Sequence, residues 1–395
     1  MEQIIRLQVD DNNIVFSEDF LSSIKNFFSG CRVSFLLGAG FSANLLGTLN
    51  NKEIFFHALD QIKTNSDKER KKVIILKAYL YWSYFKNCIA PIADKASSYE
   101  DDFKPYIEFS DNLYRIFNER SNPVLDRQFN IFTTNYDPII EIAFDSSNCI
   151  CNDGFEGRVA PRFSTDNYSK SFYRQAIFSN RKSEIPSLNL IKLHGSLTWK
   201  KDIIWGGLLY QDYKAAIKNF DTKYATFFND LILIQIETHF TATSEAEATR
   251  QISELFATDI FDDVLTDADQ YDGFTSDYKS SILIVNPTKE KFSDTLLNKN
   301  YYELLRIFSN ELEKENTLLV VNGFSFRDEH ILDLVKRSII NPSLKILLFC
   351  YQDTDIPGYQ NLLGQPKNNN ITYIALDGEK MDLGYFNQIL SRIHA

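Results

Sequence analysis

The chain has 395 residues, 44% of them apolar and 24% charged, and its 42 basic against 53 acidic side chains give a net charge of −11. This composition excludes a wholly disordered chain, and the length allows two or three domains or one α/β domain with large insertions. The excess of acidic side chains argues against strong autonomous binding of nucleic acid or an anionic membrane. The sequence shows no membrane span, signal pattern or disulfide framework, so we expect a cytoplasmic protein.

Seven short apolar runs predict buried strands, because they are rich in β-branched or aromatic residues and are followed by turn-forming residues. In chain order they are 33–37, 129–132, 188–193, 282–285, 318–321, 344–349 and 371–376. Helical patterns begin near Ser42, Asp137 and Asp328, with Asp137 as a candidate N-cap and Pro138 at the first helical position. Nearly continuous apolar strands that alternate with helices predict a doubly wound, Rossmann-like α/β fold with a parallel sheet.

Two stretches are too long to be simple crossovers between strands. They cover about 45–128 and 205–278, and we predict that both are mainly helical insertions. The insertions interrupt a Rossmann-like domain over 31–395, which residues 1–30 precede as an N-terminal segment. Each insertion could serve as plain scaffold, or as a lid or an oligomer interface.

Polar and glycine-rich clusters follow four of the predicted strands, at 38–42, 133–137, 194–196 and 323–328. In an open α/β sheet, ligands bind beyond the carboxyl ends of the strands, near the point where the strand order reverses. The four clusters therefore predict one composite site along a single edge of the sheet.

The cluster at 38–42 begins with a glycine turn between a strand and a helix. Because Gly38 and Gly40 lack a Cβ atom, backbone N–H groups there can approach a pyrophosphate, and a helix N-terminus adds partial positive charge. A tight strand-to-helix turn without a ligand explains the same residues equally well.

Three side chains in these clusters are candidates for chemistry. The Asn135 amide can hold a ribose hydroxyl or a water, or can form an ordinary Asx turn. Asp137 can accept from a carboxamide, or can act only as a helix cap. His194 can serve as a general base near neutral pH, or can be a hydrogen-bonded core histidine.

The clusters resemble, in order, the motifs of sirtuin-like proteins. The segments are Gly-Ala-Gly-Phe-Ser at 38–42, Thr-Thr-Asn-Tyr-Asp at 133–137, Leu-His-Gly at 193–195 and Gly-Phe-Ser-Phe at 323–326. The resemblance implies a Rossmann domain that takes NAD as substrate, with Asn135 and His194 as catalytic residues. The implied NAD-binding residues are Gly38, Ala39, Gly40, Phe41, Ser42, Thr134, Asp137, Gly323 and Ser325. Asn286 and residues 349–351 are candidates for adenosine contacts.

Departures from the deacylating sirtuins point to one branch of that family. Asn-Leu-Leu-Gly-Thr-Leu at 44–49 stands where those enzymes carry Gly-Ile-Pro-Asp-Phe-Arg, and no four-cysteine zinc module follows His194, so we expect no zinc. Thr134 and Phe324 replace the usual Gln and Thr. The pattern looks like the prokaryotic branch that hydrolyses NAD+ in anti-phage defence, and most like the subunit that partners a HerA-type ATPase.

This resemblance implies a homo-oligomeric NAD+ glycohydrolase that releases nicotinamide and ADP-ribose. Two other functions stay open at the level of sequence. One is a non-catalytic module that senses NAD+ or ADP-ribose and gates a partner, and the other is a nuclease subunit.

Overall fold

The computed structural model describes residues 4–46, 52–95, 101–120, 122, 124–285, 295–364 and 368–394. The strands are β1 Ile4–Asp10, β2 Asn13–Val15, β3 Arg32–Leu37, β4 Gln128–Thr133, β5 Ile150–Asn152, β6 Phe155–Glu156, β7 Arg162–Phe163, β8 Tyr173–Gln175, β9 Lys182–Glu184, β10 Ser187–Lys192, β11 Trp199–Lys201, β12 Leu208–Tyr210, β13 Thr317–Asn322, β14 Lys345–Phe349 and β15 Ile371–Leu376.

The α-helices are α1 Glu18–Gly30, α2 Ala39–Ser42, α3 Lys52–Gln61, α4 Asp67–Tyr84, α5 Ile92–Lys95, α6 Lys104–Asn118, α7 Ile139–Asp145, α8 Tyr213–Tyr224, α9 Asp230–His239, α10 Glu245–Phe256, α11 Ala268–Ser281, α12 Thr295–Glu313, α13 Glu329–Ser338, α14 Ile356–Leu363 and α15 Leu383–Ile393. One π-helical turn, Phe85–Ile89, continues α4. Within the described ranges, no helix combines the length and apolarity needed to cross a bilayer.

The chain divides into two compact units. The first, here called the sheet unit, comprises Met1–Leu45, Ala96–His194 and Lys299–Ala395. The second, here called the helical unit, comprises Leu46–Lys95 and Gly195–Asn298. The helical unit therefore draws on both of the stretches that the sequence marks as insertions, although α6, inside the first predicted insertion, lies in the sheet unit.

A nine-stranded sheet forms the centre of the sheet unit, in the order β2-β1-β15-β14-β13-β3-β4-β10-β5. Every pairing is parallel except that of β1 with β2. From β3 the chain builds outward through β4 and β10, and it later builds in the other direction from β13 through β14 to β15. The strand order therefore reverses between β3 and β13, and the predicted Rossmann-like α/β fold is confirmed.

Six of the seven predicted strands lie in this sheet, and the strand predicted at 282–285 was wrong. Ile282, Leu283 and Ile284 are buried, but within the described chain this segment forms only an isolated bridge between Ile284 and Gly195, inside the helical unit. A short apolar run shows only that a segment is buried, and burial against helices produces the same pattern as burial in a sheet.

The N-terminal segment extends the sheet. Strand β1 pairs in parallel with β15, with Ile4 opposite Tyr373 and Leu7 opposite Leu376. Strand β2 returns along β1, and α1 follows it, with Ser17 accepting a hydrogen bond from the Phe20 amide. Residues 4–15 therefore belong to the sheet and form its two outermost strands, next to β15.

The helix starts in the structure agree with those predicted from the sequence, with two differences. Helix α13 begins at Glu329, next to the predicted start near Asp328, and Asp328 caps it. The helix after the glycine turn begins at Ala39 and ends at Ser42, so the predicted start at Ser42 was wrong. Helix α7 begins at Ile139, one residue later than predicted, with Pro138 and not Asp137 at the N-cap position. Asp137 Oδ1 nevertheless accepts from the Ile139 amide at 3.1 Å, as a capping side chain does.

Candidate functional site

The four clusters begin at one level of the sheet. Asn322 of β13 is in register with Leu37 of β3, Leu37 with Thr133 of β4, and Thr133 with Lys192 of β10. The chain leaves the sheet directly after each of these residues. The glycine turn, the 133–137 cluster, His194 and the 323–328 cluster therefore meet along one edge, at the point where the strand order reverses.

The two glycine loops are in direct backbone contact. The Gly38 amide donates to Asn322 O at 3.2 Å, and the Gly40 amide donates to Gly323 O at 2.9 Å. Gly323 has φ +64°, and a Cβ atom on it would lie 2.3 Å from Phe41 N. Only glycine fits such a position, so the contact between the loops accounts for these glycines with or without a ligand.

Backbone N–H groups in the glycine turn are largely used by the protein itself. Besides those of Gly38 and Gly40, the Phe41 amide donates to Gly38 O at 2.9 Å. Ala39, Gly40 and Ser325 are exposed on this edge, whereas the Phe41 ring is buried. The role of these residues in holding a diphosphate stays a prediction.

Ser42, Asn135 and Asp137 form one buried hydrogen-bonded network. Asn135 Nδ2 donates to Gly38 O at 3.0 Å and to Ser42 Oγ at 2.9 Å, and Ser42 Oγ donates to Asp137 Oδ2 at 3.0 Å. Because a carbonyl oxygen can only accept, the amide nitrogen of Asn135 must face Gly38. Asn135 Oδ1 makes no hydrogen bond within the described chain and is left as an acceptor.

A buried ion pair lies behind Asp137. Lys192 Nζ is 2.7 Å from Glu141 Oε1 and also donates to the backbone carbonyl of Asp137. Burial raises the pKa of Asp137, with the charge of Lys192 opposing the shift. Burial likewise raises the pKa of Glu141 to about 7, again opposed by Lys192. This pair was not predicted from the sequence, although a lysine inside an apolar strand is a usable signal because buried lysines need a partner.

Tyr106 of α6 approaches the same network from the first predicted insertion. Its hydroxyl donates to Phe41 O at 3.1 Å, and its ring packs edge-on against the Phe41 ring at 5.5 Å. Burial, together with the nearby carboxylate of Asp137, raises the pKa of Tyr106. The Tyr106 hydroxyl is therefore a fixed neutral donor that holds the end of α2 in place.

His194 lies just beyond the end of β10 and is paired with Asp328, for which no chemical role was predicted from the sequence. Its Nε2 is 3.1 Å from Asp328 Oδ2, and its side chain is 22% exposed. Asp328 Oδ1 accepts from the backbone amides of His330 and Ile331 at the start of α13. From the sequence, Asp328 was identified only as part of the 323–328 cluster and as the start of a helical pattern.

The other predicted residues that the structure describes lie at or near this edge. The Thr134 amide donates to Leu37 O at 3.3 Å, which ties the 133–137 cluster to β3. Phe349 is buried against Phe386, while Tyr351 is 52% exposed. Asn286 lies outside the described residues.

No group of three or more His, Cys, Asp or Glu side chains within the described ranges is arranged to hold a metal ion.

Residues 130–244 match the family model described as SIR2-like domain. A search of curated proteins found no match to the chain. The matched range begins in β4 and contains Thr134, Asn135, Asp137 and His194, whereas both glycine loops lie outside it. The match supports a sirtuin-like family and an NAD-related function.

Proposed function

We propose that this protein is an NAD+ glycohydrolase that cleaves the bond between C1′ of the nicotinamide ribose and the nicotinamide nitrogen. The observation that carries the proposal is the meeting of the Ser42–Asn135–Asp137 network with His194 at one sheet edge, where the strand order reverses. The SIR2-like match over 130–244, which contains three of these four residues, supports an NAD-related ligand at this edge.

Each residue has a role that its contacts permit. The unpartnered Oδ1 of Asn135 accepts a hydrogen bond from the attacking water or from a ribose hydroxyl. Asp137 orients the nicotinamide carboxamide by accepting from its NH2 group. The diphosphate lies over the exposed Ala39, Gly40 and Ser325. Gly323 keeps the two glycine loops together, and Ser42 ties the first of them to the 133–137 cluster.

The reaction balances with water as the only co-reactant. The water oxygen bonds to C1′ as the C1′–N bond breaks, and nicotinamide leaves with the bonding electrons, which neutralise its ring charge. His194 takes the proton that the water loses. A base of this kind contributes roughly 10²- to 10⁴-fold to a rate.

The decisive experiment measures nicotinamide release by the purified chain. We expect His194→Ala to lower kcat by about 10²-fold or more, since the base is lost, and Asn135→Ala to impair turnover similarly. His239→Ala, which removes an exposed histidine at the end of α9 in the helical unit, is the matched control and should leave turnover unchanged. Release at the parental rate by His194→Ala would contradict the catalytic assignment.

The same assay separates the two other functions. Saturable NAD+ binding without nicotinamide release, with every candidate partner present, would point to a sensing module. Divalent-metal-dependent DNA nicking that survives Asn135→Ala would point to a nuclease with a second site.

The cellular role that fits this activity is anti-phage defence by depletion of cytoplasmic NAD+, as a homo-oligomer in complex with a HerA-type ATPase. Unrestrained hydrolysis would deplete the host, so activity is held low until the complex assembles or an insertion moves. Nicotinamide release should therefore rise when the ATPase is added. Maximal turnover by the isolated chain, unchanged by the partner, would contradict this regulation.

A further inference from the structure

The partner of His194 is held from two sides. Asp328 Oδ2 lies 3.1 Å from His194 Nε2, and only 10% of the Asp328 side chain is exposed. Asp328 Oδ1 accepts from the His330 amide at 3.1 Å and from the Ile331 amide at 3.2 Å. Because helix α13 anchors one carboxylate oxygen, the position of the other is fixed relative to the imidazole.

The loop that carries Asp328 reaches across the sheet edge. It leaves β13, whereas His194 follows β10, and β3 and β4 lie between these strands. Adjacent strands are about 4.8 Å apart, so the loop and the two side chains together bridge roughly 14 Å. The Asp328–His194 contact therefore joins the two sides of the point where the strand order reverses.

The same loop is held in one conformation. Phe326 is 1% exposed and has φ +57°, a region that a bulky residue occupies only when its surroundings fix it. Its ring packs edge-on against Phe324 at 4.9 Å, and the Tyr359 hydroxyl donates to Phe324 O at 3.3 Å. A loop fixed in this way is suited to positioning a side chain.

We propose that Asp328 is a positioning residue that keeps the His194 proton on Nε2 and so makes Nδ1 the basic atom. The proposal rests on the proposed function and deepens it. An ionised carboxylate can only accept, so the imidazole nitrogen facing it carries the hydrogen. Nδ1 makes no hydrogen bond within the described chain and is the atom that takes the proton from water. The resulting imidazolium is then stabilised by the adjacent carboxylate.

The variant Asp328→Asn separates this role from helix capping. An asparagine oxygen caps a helix as well as aspartate does, but its NH2 group then faces Nε2 and makes that nitrogen the acceptor. The histidine proton is displaced to Nδ1, the atom that has to act as base. We expect kcat for nicotinamide release to fall by about 10²- to 10⁴-fold, with KM changed less than about threefold.

A matched control is available in Asp212→Asn. Asp212 caps α8 with the same geometry, accepting from the amides at the second and third following residues, Lys214 and Ala215. No histidine of the described chain is paired with its carboxylate. We expect Asp212→Asn to leave kcat unchanged, so that a loss confined to Asp328→Asn cannot come from capping or from the removal of one negative charge.

A second readout needs no turnover. Nitrogen-15 chemical shifts of the labelled histidines report which imidazole nitrogen is protonated, and we expect Nε2–H at His194 in the parent and Nδ1–H in Asp328→Asn. An Nδ1–H tautomer in the parent, or unchanged kcat in Asp328→Asn, would overturn the inference. If the parent releases no nicotinamide even with its ATPase partner, the proposed function fails, and the tautomer measured in the two proteins still decides the role of Asp328.

Discussion

Two buried charges lie next to the candidate site, and their chemistry differs from that of surface ions. Glu141 and Lys192 are 8% and 3% exposed, and Glu141 Oε2 has no hydrogen-bond partner within the described chain. A carboxylate with one unpaired oxygen in a buried setting is stabilised by taking up a proton, which is why its pKa is raised despite the lysine. Lys192 also holds the backbone of Asp137, so the ion pair is part of the support of the site.

At the residue scale, we predict that Glu141→Gln changes how stability depends on pH. In the folded protein the pKa of Glu141 is about 7, against an ordinary value of 4.5, so between these values the unfolded chain binds fewer protons than the folded one. The stabilising contribution of the protonated carboxyl is therefore fully present below pH 4.5 and is lost as the pH rises through 7. Over this window, denaturant unfolding should show the parent losing up to about 3 kcal/mol relative to the variant.

The control is Glu156→Gln. Glu156 pairs with Lys170 over the same 2.7 Å, but its side chain is 71% exposed. An exposed pair contributes little to stability, so this variant should follow the parent at every pH. A flat difference between the parent and Glu141→Gln from pH 5 to pH 8 would show that Glu141 does not titrate in this range.

At the element scale, the contact between the loops after β3 and β13 depends on the absence of a side chain at Gly323. We predict that Gly323→Ala lowers the free energy of unfolding through two costs. The positive φ of this position costs an alanine roughly 1 kcal/mol. A further loss of about 2 kcal/mol or more follows because a Cβ atom 2.3 Å from Phe41 N forces the loops apart. Chemical denaturation followed by circular dichroism measures this change.

Gly378→Ala is the matched control for this prediction. Gly378 has φ +72°, close to that of Gly323, but a Cβ atom there would meet nothing within 4 Å. The difference between the two alanine variants therefore isolates the close approach of the loops. Equal losses of stability would mean that the loops separate without cost.

At the scale of the whole molecule, two stretches separated by about a hundred residues of chain build one helical unit. Trp82 of α4, from the first stretch, stacks on Phe228 from the second at 5.0 Å, and Phe55 of α3 stacks on Phe240 at 3.9 Å. Helix α4 also packs against α11, and α3 against α10. Neither stretch can bury these rings alone, so they should fold together.

We predict that Trp82→Ala destabilises the helical unit by about 3–5 kcal/mol, the usual cost of removing a large buried aromatic ring. Trp82 is 3% exposed and also stacks on Phe85 at 5.5 Å. Thermal unfolding should show a transition moved to lower temperature. Trp205→Ala is the control, since Trp205 is 77% exposed and its removal leaves no cavity. Equal melting curves for the two variants would contradict the packing described here.

Much of the fold could be predicted from local patterns. Six strands of the sheet were recognisable because each is a short apolar run that is buried on both faces, and a helix was recognisable from Asp328 onward. The run 282–285 misled because periodicity reports burial and says nothing of what covers the segment. Residues 4–15 were missed as strands because β1 is not a continuous apolar run: its buried and partly buried positions alternate with exposed ones over most of its length.

The sequence by itself determined which residue types stand at the strand ends, since glycine, asparagine and histidine after apolar runs are local features that need no partner to be recognised. Only the tertiary structure decided which of them touch. The pairings of Asp328 with His194 and of Glu141 with Lys192 depend on strand order and register, because these place residues that are 134 and 51 positions apart in the chain within hydrogen-bond distance. The same strand order sets Gly323 against Gly40, a contact that no local pattern specifies.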